Sequence, residues 1–545
     1  MPQYLALTHF NTNYWPDPST NAPKSRGHRS VAWLVILALL TPPLLLAQPS
    51  FESRLREVMA RPEYKHSRFG AAIYPIAAGA PLHRLNAQEL FVPGSTTKLV
   101  TMGTALKLLG PDYRFHTPIY RTGEVTPDGV LHGDLVVVAG GDLNLSGRIQ
   151  PDESLAFQNV DHAYWPMARA ATVPGDPIQP IRAMARQVAA KGIKRVTGTL
   201  HIDAGLFPLG DRELGSGVAI TPLAINDNVL DAFVEPGPRE GEPAVIRLWP
   251  QTRFVIIVNE LKTVPAGSKL DVNLVSDERR TDGGRQLTLR GSVPLGQKPA
   301  LQTYKMADPM VFARFVFIEA LAEAGVAVEA PGTDDGGNWT EFYKPANLLA
   351  EHISPPFLED AKLTLKVSQN MHASATPYLV GALVGGKHAD ALDEGFRLER
   401  KLLEDAGLDT SGAVQSDGAG GAAMYTPDFM CQYLVYLSKQ PFFDKLRPGL
   451  PVLGKEGTLW DIQTASPAVG KVFAKTGTYA TEDRLHDALL ITGKGLAGYM
   501  TTRDGHRVAF AFYVNSVVGD PAKVAHMAGE MLGELATAAW EANWK

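Results

Sequence analysis

Apolar residues near the start of the folded region follow first a helical and then an extended spacing. The pattern predicts a short helix from Phe51 to Met59, followed by strands from Arg68 to Ile76 and from Leu82 to Leu85. After Pro93-Gly94 the apolar residues recur at helical spacing, until Gly110-Pro111 supplies a stop signal. This end of the chain is therefore predicted to run strand, strand and then helix.

The middle of the chain has a different pattern of apolar residues. From about Phe115 to Val326 most apolar runs are short and strand-like, and Gly, Pro and Asp separate them. Helical spacing interrupts this region at Ile181 to Ala190 and at Val311 to Gly325. Asp152 to Asp176 has the composition of a loop, and the sequence assigns it no role. The middle is thus predicted to be mostly β.

The last third returns to mixed spacing. Helices are predicted at Leu392 to Gly407, Pro427 to Ser438 and Asp520 to Trp540. Strands are predicted around a hairpin turn at Asp504-Gly505. Two mixed ends and a β-rich middle favour an α/β (α+β) fold, in which one domain is interrupted by a large insertion.

The predicted domain boundaries follow these changes in the spacing of apolar residues. Residues 48–115 and 346–545 form the two parts of the interrupted domain, and residues 116–345 form the β-rich insertion. The insertion is long enough for two subdomains, the inner one at about 229–300.

Residues 1–47 are predicted to be a polar prefix and a targeting segment. A positively charged stretch precedes the apolar run from Val31 to Leu40, and a small residue, Ala47, follows. This order is typical of a secretory signal, so we expect an exported, periplasmic protein that is cleaved near Ala47. Pro42-Pro43 breaks the apolar segment, which is short for a spanning helix. An uncleaved membrane anchor is the alternative.

The net charge and the cysteine content exclude some functions and some kinds of covalent cross-link. The net charge is −5 and no basic run is present, which argues against nucleic acid as a partner. Cys431 is the only cysteine, so no internal disulfide can form. It lies in an apolar helical stretch, where we expect it to be a buried small hydrophobe.

Ser95 and Lys98 are the first candidates for chemistry. They lie three positions apart at the predicted start of a helix, so their side chains should meet on one face. The free N–H groups and dipole of a helix start favour developing negative charge. A serine beside a lysine base suits nucleophilic catalysis. Lys98 can accept the proton if burial and a nearby like charge, which Lys475 could supply, lower its pKa.

Two further motifs follow in the chain. Ser368 and Asn370 form a Ser-x-Asn pair, in which the hydroxyl can relay a proton to a leaving amine and the amide can hold the substrate. Lys475, Thr476, Gly477 and Thr478 follow a short strand. The lysine and the two threonine hydroxyls can bind a terminal carboxylate. The backbone N–H groups of Ser95 and Thr478 would form an oxyanion hole. Each motif is weak alone, and their order makes coincidence improbable.

The three motifs resemble those of the penicillin-recognising serine enzymes, the penicillin-binding proteins and β-lactamases. About 270 positions separate Lys98 from Ser368, far more than in the compact members. This spacing is similar to that of D-alanyl-D-alanine carboxypeptidases/endopeptidases of the DacB type, the class C penicillin-binding proteins of peptidase family S13. Further similarity lies in Gly140-Gly141-Asp142 and in the segment Pro222 to Asn228.

The resemblance implies a transpeptidase-like catalytic domain interrupted by the insertion. It implies a serine-type enzyme that cleaves D-Ala-D-Ala or the D-Ala to diaminopimelate cross-link in peptidoglycan stem peptides. β-Lactams are expected to acylate Ser95, and neither a metal nor an organic cofactor is expected. Ala419 departs from the family, which usually has a serine at this point of its Asp-Gly turn.

Two other functions stay open at this stage. One is a cell-wall binding protein with a degenerate site, against which the intact motifs argue. The other is a β-lactamase or esterase, which would need a base for deacylation, and Glu456 or Asp417 is a candidate for that base. The preference between carboxypeptidase and endopeptidase substrates, and the oligomeric state, are not indicated by the sequence.

Overall fold

The computed structural model describes residues 50–77, 79–167, 169–330 and 337–544. The signal or anchor segment predicted in residues 1–47 lies outside the described residues. Within the ranges that are described, no helix combines the length and the apolar character needed to cross a membrane.

The helices occur mainly in the two mixed ends of the chain. The helix predicted from Phe51 to Met59 is present with those bounds. In chain order the described α-helices are α1 (Phe51–Met59), α2 (Thr97–Leu109), α3 (Gln179–Ala190), α4 (Pro309–Glu323), α5 (Phe357–Val367), α6 (Asn370–Leu383), α7 (Ala391–Asp405), α8 (Pro427–Leu437), α9 (Phe443–Leu446) and α10 (Val524–Glu541).

Most of the strands lie in the middle of the chain. The first eleven described strands are β1 (Arg68–Pro75), β2 (His83–Leu85), β3 (His116–Arg121), β4 (Glu124–Val125), β5 (Val130–His132), β6 (Leu135–Val138), β7 (Arg195–Val196), β8 (Leu200–Asp203), β9 (Val229–Glu235), β10 (Val245–Trp249) and β11 (Val255–Val264). The others are β12 (Asp271–Arg279), β13 (Arg285–Pro294), β14 (Ala300–Lys305), β15 (Ala327–Val328), β16 (Leu348–Ile353), β17 (Ala413–Gln415), β18 (Ala423–Tyr425), β19 (Val472–Asp483), β20 (Ala488–Thr501), β21 (Arg507–Asn515) and β22 (Val517–Gly519).

The largest sheet joins the two ends of the chain. Its strand order is β19-β20-β21-β1-β2, all neighbours are antiparallel, and β22 pairs with β20. The early strand β1 pairs along its whole length with the late strand β21. This pairing closes one domain from segments that the insertion separates.

Both faces of this sheet are buried, which explains the nearly continuous apolar run of β21. Phe510 and Phe512 point to one face, where they join a core with residues of α1 and α10. Ala509 and Ala511 point to the other face and join a core with residues of α2, α6 and α8. The sheet is therefore a layer between helices, and α2, which follows Ser95, packs on its second face.

The strands of the intervening region form four smaller sheets, to one of which β16, just after that region, adds an edge strand. Their strand orders are β16-β3-β6-β8, β15-β7-β5-β4, β10-β9-β14 and β11-β13-β12. Helices α3 and α4 pack with these strands in a separate apolar core. The α/β (α+β) class predicted from the sequence is confirmed.

Candidate active site

A close approach between two backbone segments positions Ser95. Residues Gly94–Thr96 form a 3₁₀ turn, and the regular helix α2 begins only at Thr97, later than the sequence predicts. Gly94 has φ +53°, and a Cβ there would lie 2.5 Å from the backbone N of Thr478. A Cβ at Gly477 would lie 1.9 Å from the Pro93 carbonyl oxygen. Glycine on both sides therefore allows the Ser95 turn to lie directly against β19.

Lys98 is the centre of the hydrogen-bond network. Its ammonium donates to Ser95 Oγ at 2.7 Å, to Asn370 Oδ1 at 2.6 Å and to the Ala419 carbonyl oxygen at 3.2 Å. The side chain is fully buried. Burial lowers the pKa of Lys98 to about 7, although the carboxylates of Glu213 and Asp417 act in the opposite direction. A substantial fraction of the amine is therefore neutral near pH 7 and able to accept a proton.

Ser368 and Asn370 lie at a break between two helices. Helix α5 ends at Val367, Ser368 adopts the left-handed conformation with φ +66°, and Asn370 begins α6. Gln369 caps α6 by accepting a hydrogen bond from the backbone N–H of Met371 at 2.9 Å. The break turns the Ser368 hydroxyl and the Asn370 amide toward the two lysines.

Lys475 contacts the Ser-x-Asn pair from the strand side. Its buried ammonium donates to Ser368 Oγ at 2.8 Å and to the Thr476 carbonyl oxygen at 2.8 Å. Burial lowers its pKa well below the ordinary value, and the charges of Lys98 and Lys494 add to that effect. The charge of Lys98 thus disfavours the charged form of Lys475, whereas the lowered pKa of Lys98 is due to burial and not, as predicted, to the charge of Lys475.

The side chains of Thr476 and Thr478 differ in exposure. Thr476 is partly buried, and its Oγ1 lies 2.6 Å from the hydroxyl oxygen of Thr458. Thr478 is exposed, and its Oγ1 accepts a hydrogen bond from Lys494 Nζ at 2.8 Å. The second hydroxyl is therefore open to a ligand at the edge of the sheet.

The loop that follows β17 holds Lys98 from the opposite side. The Asp417 carboxylate accepts backbone N–H bonds from Ala419 at 2.6 Å, Gly420 at 2.7 Å and Ala422 at 2.9 Å. These bonds turn the Ala419 carbonyl toward Lys98. Because the backbone of Ala419 makes this contact, the loop needs no serine side chain to hold Lys98.

The two carboxylates considered as deacylation bases have other partners. Glu456 forms an ion pair with Lys366 at 2.6 Å. Asp417 is occupied by the three backbone N–H groups of its own loop. Neither hydrogen-bonds to Ser95, so the geometry gives no support to a β-lactamase base at these positions.

Tyr164 is a site residue that the sequence analysis missed. It comes from the loop-like segment at 152–176, where Asp161 caps a 3₁₀ turn formed by His162–Tyr164. The Tyr164 hydroxyl donates to the carbonyl oxygen of Ser368 and lies 3.3 Å from Asn370 Oδ1. An isolated tyrosine in an irregular segment carries no periodic signal, so nothing in the sequence pattern indicated this contact.

A buried ionic cluster lies behind Tyr164 and Asn370. Arg148 Nη2 donates to Asp161 Oδ2 and to Asp227 Oδ2, both at 2.6 Å. His162 Nε2 lies 2.8 Å from Asp227 Oδ2, and His372 Nε2 lies 2.9 Å from Asp227 Oδ1. Asp227 therefore joins the turn that carries Tyr164 to the helix that begins with Asn370.

Both histidines of this cluster lie between two carboxylates. His162 Nδ1 is 2.9 Å from Asp231, and His372 Nδ1 is 2.7 Å from Asp360. Burial opposes their charge, but the neighbouring carboxylates raise the pKa of His162 to about 10 and that of His372 to about 9. We therefore describe both rings as imidazolium ions.

The same cluster offers the one grouping of metal-type ligands found among the described residues. Oxygen and nitrogen atoms of Asp161, His162 and Asp227 lie within 4.8 Å of one another. The guanidinium of Arg148 already donates to both carboxylates. A charged arginine thus takes the place that a cation would need, so the residues do not fit a metal ion.

Comparison with known proteins agrees with this architecture. The sequence profile of the D-Ala-D-Ala carboxypeptidase 3 (S13) family matches residues 51–534. A D-alanyl-D-alanine carboxypeptidase of Actinomadura sp. (strain R39) is 28% identical over 532 residues, which cover 92% of this chain and 89% of the relative. The D-alanyl-D-alanine carboxypeptidase DacB of Haemophilus influenzae is 24% identical over 450 residues, or 79% and 81% of the two chains.

The fold is also that of a solved structure. The crystal structure of penicillin binding protein 4 (dacB) from Haemophilus influenzae matches with a TM-score of 0.65 and 20% identity, over 88% of this chain and 97% of that chain. The predicted transpeptidase-like domain with a long insertion is therefore confirmed as a fold. Since the family profile spans nearly the whole described chain, the protein belongs to the D-Ala-D-Ala carboxypeptidase 3 (S13) family.

Proposed function

We propose that the protein is a serine-type D-Ala-D-Ala carboxypeptidase, with DD-endopeptidase activity as an extension of the same chemistry. Its substrates are peptidoglycan stem peptides, and its nucleophile is Ser95. One observation carries the proposal: the buried Lys98 ammonium lies 2.7 Å from Ser95 Oγ and 2.6 Å from Asn370 Oδ1. A lysine whose pKa is lowered to about 7 suits the role of base for a serine.

Acylation then follows in two steps, attack on the carbonyl and expulsion of the amine. Ser95 Oγ attacks the carbonyl carbon of the penultimate D-Ala, and its proton passes to neutral Lys98. The new oxyanion is stabilised by the backbone N–H groups of Ser95 and Thr478. The C–N bond breaks as the leaving amine receives the proton that Lys98 had taken, relayed through the Ser368 hydroxyl, which lies 2.8 Å from Lys475 Nζ, so that Lys98 returns to its neutral form. Water later hydrolyses the Ser95 ester and releases the shortened peptide.

The leaving residue ends in a carboxylate, which the β19 edge is suited to bind. The amine of Lys475 and the hydroxyls of Thr476 and Thr478 can donate hydrogen bonds, and Gly477 lets the strand lie close to Ser95. A β-lactam presents a similar amide and carboxylate. We therefore expect it to acylate Ser95, and a relative's crystal structure is described as a complex with a novel beta-lactam.

The substrate class also supports an exported enzyme. Peptidoglycan stem peptides lie outside the inner membrane, and residues 1–47 have the pattern of a secretory signal. We therefore propose a periplasmic location after cleavage near Ala47, with an uncleaved N-terminal anchor as the alternative.

Covalent labelling tests the proposal directly. Purified protein incubated with penicillin G should gain the mass of one intact penicillin, and peptide mapping should place it on Ser95. Ser95→Ala should show no adduct, whereas the exposed control Ser411→Ala should label normally. Labelling of Ser95→Ala would refute the nucleophile, and rapid hydrolysis of the adduct would favour a β-lactamase. Release assays on a pentapeptide and on a cross-linked dimer then separate the two peptidase activities.

A further inference from the structure

Lys494 lies directly opposite Thr478 on the neighbouring strand. In the antiparallel pairing of β19 with β20, Thr478 and Lys494 are register partners. Lys494 Nζ donates a hydrogen bond to Thr478 Oγ1 at 2.8 Å. The bond ends at the exposed hydroxyl of Thr478, a residue whose backbone N lies against Gly94, next to Ser95.

The stem of Lys494 packs against the helix behind the sheet. A Cβ placed on Gly529 of α10 would lie 3.5 Å from Lys494 Cε and 3.7 Å from its Nζ. Burial lowers the pKa of Lys494 to about 8, while the Asp461 carboxylate favours the charged form. The ammonium is therefore held in one place and is still largely charged at pH 7.

Lys494 adds to a concentration of positive charge at this edge. Lys494 is one of the charges that lower the pKa of Lys475, and Lys98 is another. Among the described residues, no carboxylate forms an ion pair with Lys98, Lys475 or Lys494. Lys494 is still largely charged at pH 7, and its positive charge without an ion-pair partner favours the binding of an anion at this edge of the sheet.

The bond to Thr478 also fixes the direction of a proton. A threonine hydroxyl has one hydrogen to donate and two lone pairs that accept. Since Lys494 donates to Thr478 Oγ1, the hydroxyl proton is left to point toward another acceptor. In the proposed reaction, that acceptor is the terminal carboxylate of the substrate.

We propose that Lys494 is a positioning residue that makes the site selective for substrates with a free terminal carboxylate, by orienting the Thr478 hydroxyl as a donor. The proposal rests on the proposed function and deepens it by adding a residue outside the three motifs. It predicts discrimination between a peptide that ends in D-Ala-D-Ala and the same peptide whose last carboxylate is an amide.

The test compares these two peptides as substrates for wild type, Lys494→Met and Lys494→Arg. Because hydrogen bonds to charged groups are strong, Lys494→Met should lower kcat/KM for the acid by about tenfold or more, mainly through KM. It should change kcat/KM for the amide by less than about twofold, since the amide carries no charge to be recognised. Lys494→Arg should retain most of the selectivity. The exposed Lys523→Met is the matched loss of a surface charge and should behave as wild type.

Three results would overturn the assignment. One is an equal loss on the acid and amide peptides, which would indicate a structural role for Lys494. Another is no loss on the acid peptide. The third is additive losses in the double variant with Thr478→Val, because a residue that acts through Thr478 should cost little once that hydroxyl is gone. Failure of the proposed function is distinguishable, since wild type would then form no penicillin adduct and release no D-Ala.

Discussion

Lys98 Nζ lies 2.6 Å from the side-chain oxygen of Asn370, although 272 positions separate the two residues in the chain. The contact joins the first part of the catalytic domain to the second, across the whole insertion. It also gives Lys98 a second acceptor besides Ser95, so the amine is held by groups from both parts. The properties of Lys98 therefore depend on correct assembly of the entire domain.

Acylation should depend on pH through Lys98. Its pKa is lowered to about 7 by burial, and only the neutral amine can accept the Ser95 proton. The second-order rate of labelling by a fluorescent penicillin should therefore rise between pH 5 and pH 8, with its midpoint near 7. Lys98→Met should lower the rate at pH 8 by about 100-fold or more. A rate that does not change over this range would remove Lys98 as the base.

Tyr164→Phe should impair the reaction more than the fold. The change removes the hydroxyl that contacts the Ser368 carbonyl and Asn370 Oδ1. We expect acylation to slow by about tenfold, with a loss of about 1 kcal/mol in the free energy of unfolding. Stopped-flow labelling and denaturant titration measure the two effects. The control is Tyr304→Phe, which removes a hydroxyl bonded to Asp277 in the insertion, and its acylation rate should match that of wild type.

Gly477→Ala should displace the nucleophile. An added Cβ would lie 1.9 Å from the Pro93 carbonyl oxygen and 3.0 Å from the Ser95 backbone N, so the turn must move away from β19. We expect penicillin labelling to fall by about 100-fold, because small displacements of a reacting group are costly. Gly79→Ala is the control, since its Cβ would meet only the Pro75 ring at 3.2 Å. Normal labelling of Gly477→Ala would show that the close approach is not needed.

The buried histidines should make stability depend on pH. The carboxylates around His372 raise its pKa from 6.5 to about 9, against the effect of burial. Its stabilising contribution is complete below pH 6.5 and is lost as the pH rises toward 9. The difference in free energy of unfolding between wild type and His372→Gln should therefore shrink from pH 6 to pH 9, by about 3 kcal/mol.

Denaturant unfolding at several pH values measures this difference. The exposed His66→Gln serves as a control for the loss of a histidine at the surface. A constant difference for His372→Gln would mean that the ring is neutral in the folded protein.

Local patterns in the sequence predicted much of the fold. The helix Phe51–Met59 and the continuous apolar strand at Val508 follow from periodicity, because their faces are buried against the sheet or within it. Cys431 is buried, as its apolar surroundings indicated. The spacing of Ser95 and Lys98 also predicted their contact, since residues three apart on a helix start face one another.

The remaining site residues could not be found in this way, because long-range pairing brings them together. Tyr164 reaches Ser368 across 204 positions and comes from a segment without periodicity. Asp227 meets His372 across 145 positions. Lys494 is recognisable in the sequence as a charged residue within the apolar strand β20. Its hydrogen-bond partner, however, depends on the register of β20 with β19. Register across a hairpin depends on the geometry and length of the turn as well as on the apolar pattern, so composition alone does not reveal it.

The Asp227 cluster has a consequence for how the chain can be divided. Arg148, His162 and Asp227 come from the insertion, while Asp360 and His372 come from the catalytic segment that follows it. Excising the insertion would remove Asp227 from His372 and leave that buried ring with Asp360 alone, and removing one partner from a buried ionic network is strongly destabilising. The two regions should thus unfold in a single cooperative transition. Loss of the insertion would require compensating substitutions in the part of the catalytic domain that packs against this cluster.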